Sequence, residues 1–158
     1  MDDVAIARAL HVLAVVIWIG GVAFVTTVIL PAVRRGDFGA DRLGAFQAVA
    51  HRFAWQARTA VIVVGATGFY MSARLDLWTR FTSAQFWWMH AMVLLWLLFA
   101  LILFVAEPLV LRRRLHDRGT VSPETTLAWL HRGHLVLLAL GVITIFGAVA
   151  GAYGWSIP

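Results

Sequence analysis

The run from Val12 to Val33 holds no charged side chain, and neither does the run from Leu135 to Ile157. A third apolar run, Ala91 to Ala106, stops at Glu107, and a fourth, Phe53 to Ala73, is broken only by Arg58. Each is close to the roughly 20 residues that take a helix across a bilayer. In that medium only helices and closed barrels satisfy every backbone N–H and C=O. Periodicity does not separate a buried strand from a buried helix, but runs of this length read as helix. The expected fold class is all-α: an integral membrane four-helix bundle with helices near 5–34, 43–74, 84–114 and 124–155. Of 158 residues, 61% are hydrophobic and 13% charged, so four spans and three connectors use the whole chain. One transmembrane domain over 1–158 is expected, with a lipid bilayer as its surroundings.

All 13 basic residues are arginine. The connectors Arg34 to Arg52 and Arg112 to Arg118 carry eight, whereas the N-terminus and the connector around Arg74 and Arg80 carry three. The arginine-rich connectors should lie in the cytoplasm and both termini outside, which suits a bacterial inner membrane. The net charge of +5 then reflects topology and anionic lipid, and no basic groove for nucleic acid is expected. The first helix has no convincing cleavage site, because Gly20-Gly21 lies inside an apolar run that continues to Val33, so it reads as an anchor. No cysteine is present, which excludes disulfides, Cys-bound iron–sulfur clusters and covalent c-type haem.

Four histidines stand at the thresholds of these four runs: His11, His51, His90 and His134. A lone histidine there is an ordinary interfacial side chain. One per helix suggests a shared ligand, and haem b takes neutral imidazoles from facing helices at both axial positions of its iron. The orientation puts His11 and His90 near the outer face and His51 and His134 near the inner one. Each pair is a candidate for one haem, so one or two haems are expected. His131 lies three residues from His134 on the same helical face, and the choice of ligand between them stays open. His116 reads as a solvated loop residue.

Arg58 and Glu107 lie within apolar runs at matching depth, where charges are costly unless paired, hydrated or used. They read as an ion pair, as a propionate partner (Arg58) or as a proton relay (Glu107). Arg52 and Arg132 are further cations for propionates. Trp78, Trp87, Trp88, Trp129 and Trp155 read as an interfacial belt, and Trp18, Trp55 and Trp96 as more internal. Trp18 shares the His11 face and is a candidate to pack on a porphyrin, with core packing as the alternative. Gly20-Gly21, Gly65 with Gly68, and Gly147 with Gly151 allow close helix packing. Ser122 is a candidate cap for the fourth helix, and Pro108 should kink the third.

Leu10-His11-Val12-Leu13-Ala14 with Trp18-Ile19-Gly20-Gly21, followed by Trp88-Met89-His90-Ala91, resembles the small four-helix membrane proteins that include the copper-resistance D domain and the HemJ-type protoporphyrinogen oxidase. The likeness extends through Arg52-Phe53 to Gly68 and is weakest in the fourth helix. It implies haem b binding, with His11 matching the family's first-helix histidine. HemJ-type proteins carry a lysine two residues after the histidine matching His90; here that position is Met92 and the chain has no lysine, which weighs against porphyrinogen oxidation. Copper handling weighs less still, since Met1, Met71, Met89 and Met92 form no sustained series of soft ligands.

The leading expectation is a membrane-bound b-type cytochrome, an iron-containing oxidoreductase passing electrons between a quinone or haem partner and an acceptor. A porphyrinogen-oxidising enzyme, a copper-handling membrane protein and a structural subunit of a larger complex or homo-oligomer are the alternatives.

Overall fold

The computed structural model describes residues 2–109 and 123–155, and every described element is helical. Helix α1 runs Asp2–Arg35, α2 Arg42–Arg74, α3 Ala84–Leu109 and α4 Pro123–Ala152. These agree with the expected segments within a few residues. The end of the third segment, His116, the Arg112–Arg118 cluster and the Ser122 cap fall outside the described residues. Gly36, at φ 86°, closes α1 in the left-handed conformation that glycine adopts without strain. The Asp41 carboxylate accepts from the Gly44 N–H at 2.9 Å and so caps α2.

Three helices, α1, α3 and α4, are long and apolar enough to cross a membrane. Helix α2 is equally long but more polar. Between Arg58 and Arg74 only residues 59–73 are uncharged, about 22 Å of helix against a hydrocarbon core of about 30 Å. Of the expected spans, the second is therefore the one whose composition falls short.

Two of the helices are locally widened, and proline explains where. A π turn occupies Val25–Ile29 in α1 and another Ile102–Ala106 in α3. Each ends two residues before a proline, Pro31 and Pro108. A proline ring clashes with the carbonyl four residues back and offers no N–H, and a wide turn just ahead of it relieves the clash. Beside Pro108, where the sequence suggests a kink, the helix contains this π turn, and α1 contains a matching one before Pro31.

The buried face of α1 repeats every three or four residues from Ala14 through Trp18, Val22 and Val25 to Ile29, with Ala7 two turns before it. Its middle packs on Ala60, Val61 and Val64 of α2 and on Leu95 and Phe99 of α3. Toward the Arg35 end, Leu30 and Val33 pack with Phe46 of α2 and Leu127 of α4. In lipid such contacts gain from close fit more than from leaving water, so small residues matter. Gly21 receives the Phe53 ring, Gly65 the Trp96 ring, Gly147 the Trp87 ring and Gly151 the Trp88 ring; a Cβ at any of them would collide with that ring. Trp87 and Trp88 thus do more than form an interfacial belt, since they bind α3 to α4. Trp55 is 63% exposed and faces away from the packed core.

Candidate functional site

Antiparallel neighbours set the levels. His11 meets Thr67, Gly21 meets Phe53, and Asp3 meets Tyr70 and Arg74, so α1 and α2 are aligned along their length. The Asp3 carboxylate accepts from the Tyr70 hydroxyl at 2.7 Å and from the Arg74 guanidinium at 2.8 Å, closing this seam at the N-terminal end.

Two turns further in, His11 Nδ1 lies 2.9 Å from Thr67 Oγ1. The Thr67 hydroxyl donates its single proton to the Val63 carbonyl at 2.6 Å, the usual back-bond of a helical threonine. Its oxygen is therefore an acceptor toward His11, and the imidazole carries its proton on Nδ1. Nε2 is left with a lone pair. In metal-binding histidines one ring N–H is commonly fixed by an oxygen in this way.

His134 repeats the pattern. Its Nδ1 faces the Leu130 carbonyl at 2.9 Å, and a carbonyl only accepts, so Nε2 again holds the lone pair. The ring stands edge-on to Phe46. His131 is the opposite case: Arg34 Nη1 lies 3.1 Å from its Nδ1, and a guanidinium only donates. His131 Nδ1 is therefore the acceptor and Nε2 bears the proton. Of the two, His134 is the one whose Nδ1 rather than Nε2 carries the ring proton.

The remaining two histidines are placed differently. His90 Nε2 lies 3.0 Å from the Phe81 carbonyl and donates to it, while its ring stands edge-on to the Phe81 ring. His51 is exposed and lies five residues past the buried Phe46, about 140° further round α2.

The expected pairs therefore fare unequally. Trp18 and Phe99 touch with ring centroids 4.8 Å apart, which aligns α1 with α3. Counting outward, His11 lies seven residues from Trp18 and His90 nine from Phe99, a difference of about 3 Å in level. The two lie at similar levels along the bundle, but His11 turns to Thr67 and His90 to Phe81. The inner pair is not brought together, because His134 faces Phe46 and His51 does not share that face. Among the described residues no three His, Asp or Glu side chains converge as a metal cluster.

Arg58 and Glu107 form an ion pair between α2 and α3. Arg58 Nε also donates to the Leu103 carbonyl at 3.1 Å. That carbonyl is open for a local reason: the Glu107 N–H bonds Ile102 in the π turn, and the next residue, Pro108, has no N–H. Through Nε to Leu103 and its ion pair to Glu107, Arg58 clamps α2 to α3, the ion-pair alternative of the sequence reading. Arg52 is exposed. Trp18 is only 3% exposed and packs in the core; its indole N–H has no partner among the described residues.

The sequence reading missed Thr67 as the group that orients His11, and Arg34 as the group that occupies His131. Thr67 was legible in principle, as a polar residue inside an apolar run at the level the Asp3–Arg74 charge match would set. In comparison with known proteins, the chain matches no family model, no curated protein and no solved structure.

Proposed function

We propose that this chain is a four-span membrane cytochrome of b type, with His11 Nε2 as an axial ligand of haem. The observation that carries the reading is the His11–Thr67 bond, in which Thr67 Oγ1 holds the Nδ1 proton and leaves Nε2 unprotonated. The resemblance of the first helix to the haem-binding group points the same way. Haem b would supply a one-electron couple; the chain's own part is to hold, orient and shield it. Thr67 fixes the tautomer of His11, and the Asp3–Tyr70–Arg74 seam ties the two helices beside it. His90, within about 3 Å of the level of His11, is the candidate for the second histidine that would hold the haem, in place of its bond to the Phe81 carbonyl.

His134 has the same preset tautomer. Ile19 of α1 packs on Gly141 of α4, so His134 lies about 22 Å further along the bundle than His11. It is the candidate ligand of a second haem, with a partner other than His51. In this reading electrons pass along the bundle between a quinone or redox protein and an acceptor, in a bacterial inner membrane with both termini outside. A second reading, a structural subunit, draws on one observation: aromatic rings already fill the glycine notches that a macrocycle would need as neighbours. Purified protein separates the two. A b-type band in the reduced-minus-oxidised spectrum, with at least one haem per chain, supports the cytochrome; no haem after expression with haem precursor supports the structural subunit.

A further inference from the structure

At the Arg35 end of the bundle a shallow open groove is lined by Pro31, Arg34 and Arg35 of α1 and His131 of α4. Its charges are unevenly balanced. Arg35 turns to Asp37, which takes both its Nε and Nη2 at 3.1 and 2.9 Å. Arg42 donates to the Arg34 carbonyl and lies 4.0 Å from Glu124. Of these three arginines, Arg34 is the one with no carboxylate partner among the described residues; its contact is the His131 ring at 3.1 Å. Since His131 accepts through Nδ1, its ring proton is on Nε2, and the groove carries a guanidinium and an imidazole N–H as neighbouring donors. Such a donor pair suits a phosphate oxyanion.

The apolar surroundings choose between possible sources of that phosphate. On α1, Val28 and Phe24 follow Pro31 at helical spacing and are 48% and 54% exposed. On α4, Leu135 and Val142 follow His131 in the same way and are 46% and 54% exposed. Two apolar stripes thus lead away from the groove along helices that are long and apolar enough to cross a membrane. We infer that the groove seats the phosphate of an anionic phospholipid, bound by Arg34 and His131, with its acyl chains lying along the α1 and α4 stripes. Basic pockets at the ends of membrane helices hold lipid headgroups by this chemistry. The inference requires that α1 and α4 span a bilayer and is independent of any haem.

The test uses the full chain purified in detergent and mixed with phosphatidylglycerol and phosphatidylcholine in equal amounts, with bound lipid read by native mass spectrometry. The expected result is a preference for phosphatidylglycerol that falls about fivefold in Arg34→Gln, the worth of one interfacial cation. Arg34→Lys should keep most of it, which separates loss of charge from loss of fold. His131→Ala should lower it, Arg80→Gln at the opposite end should leave it intact, and millimolar inorganic phosphate should not displace the lipid. Equal retention of the two lipids, or equal losses in Arg34→Gln and Arg80→Gln, would overturn the assignment. Displacement by inorganic phosphate would overturn the lipid in favour of a free phosphate. The absorption spectrum of the same samples reports on haem separately.

Discussion

Arg58 in α2 donates to the carbonyl of Leu103 in α3, an oxygen available only because Pro108 lies five residues beyond it. A proline in one helix thus creates the acceptor for a charge in another. In Pro108→Ala the π turn gains an N–H and can close to regular α-helix, which returns Leu103 to its own helix and removes one of Arg58's two partners. Arg58→Met should then destabilise the Pro108→Ala protein less than it destabilises the wild type, with a coupling of about 1 kcal/mol in a double-mutant cycle. Additive losses in unfolding experiments in detergent would show that Arg58 does not depend on the proline.

The second partner of Arg58 is Glu107. Removing one member leaves a charge facing the bundle or lipid, at a cost of about 2 kcal/mol or more on insertion scales. Removing both leaves none. Arg58→Met with Glu107→Gln should therefore be more stable than either single variant, as read by resistance to thermal unfolding in detergent. A double variant worse than both singles would mean that each charge serves a separate partner.

Glycines differ sharply in what a methyl group would meet. At Gly20 nothing lies within 4 Å of an added Cβ, so Gly20→Ala should be neutral or stabilise by up to about 1 kcal/mol through helix propensity. At Gly65 an added Cβ runs into the Trp96 indole, whose Nε1 donates to the Val61 carbonyl at 2.8 Å. The missing Cβ is what lets the indole reach that carbonyl. Gly65→Ala should lower stability by about 1–3 kcal/mol, the usual range for overpacking, and quench or shift the Trp96 fluorescence contribution. Equal effects at the two glycines would contradict this packing.

Much of this architecture was legible because it follows from length and polarity. Uncharged runs such as Val12 to Val33 fix α1, and Arg58 and Glu107 were placed at one level by counting from the flanking arginines. What the sequence did not show depends on rotation and on local bonds. His51 and His134 share a depth, but depth says nothing about facing, and five residues of helix turn His51 away from the Phe46 face. His131 and His134 are equivalent by spacing; Arg34, far away in the chain, distinguishes them by occupying one. Trp87 and Trp88 looked interfacial because tryptophans at span ends usually are, and only the register of α3 against α4 reveals the glycine notches that receive them.

The arginine distribution makes a prediction about orientation. A reporter fused after Gly36 should be active in the cytoplasm, and one fused after Trp78 on the opposite side. The reverse pattern would move the Arg34–His131 groove to the outer leaflet and exchange the sides of His11 and His134, while their levels relative to one another would stay as they are.

The most direct measurement is the reduced-minus-oxidised absorption spectrum of purified wild type, His11→Ala and Thr67→Val, with haem quantified per chain. If His11 Nε2 binds iron and Thr67 fixes its tautomer, His11→Ala should lose or shift the b-type Soret and α bands. Thr67→Val should keep the bands while weakening haem retention by about 10- to 100-fold, the usual effect of losing a partner that orients a ligand. Wild-type bands that persist unchanged in position and occupancy in both variants would contradict the assignment of His11 as the haem ligand.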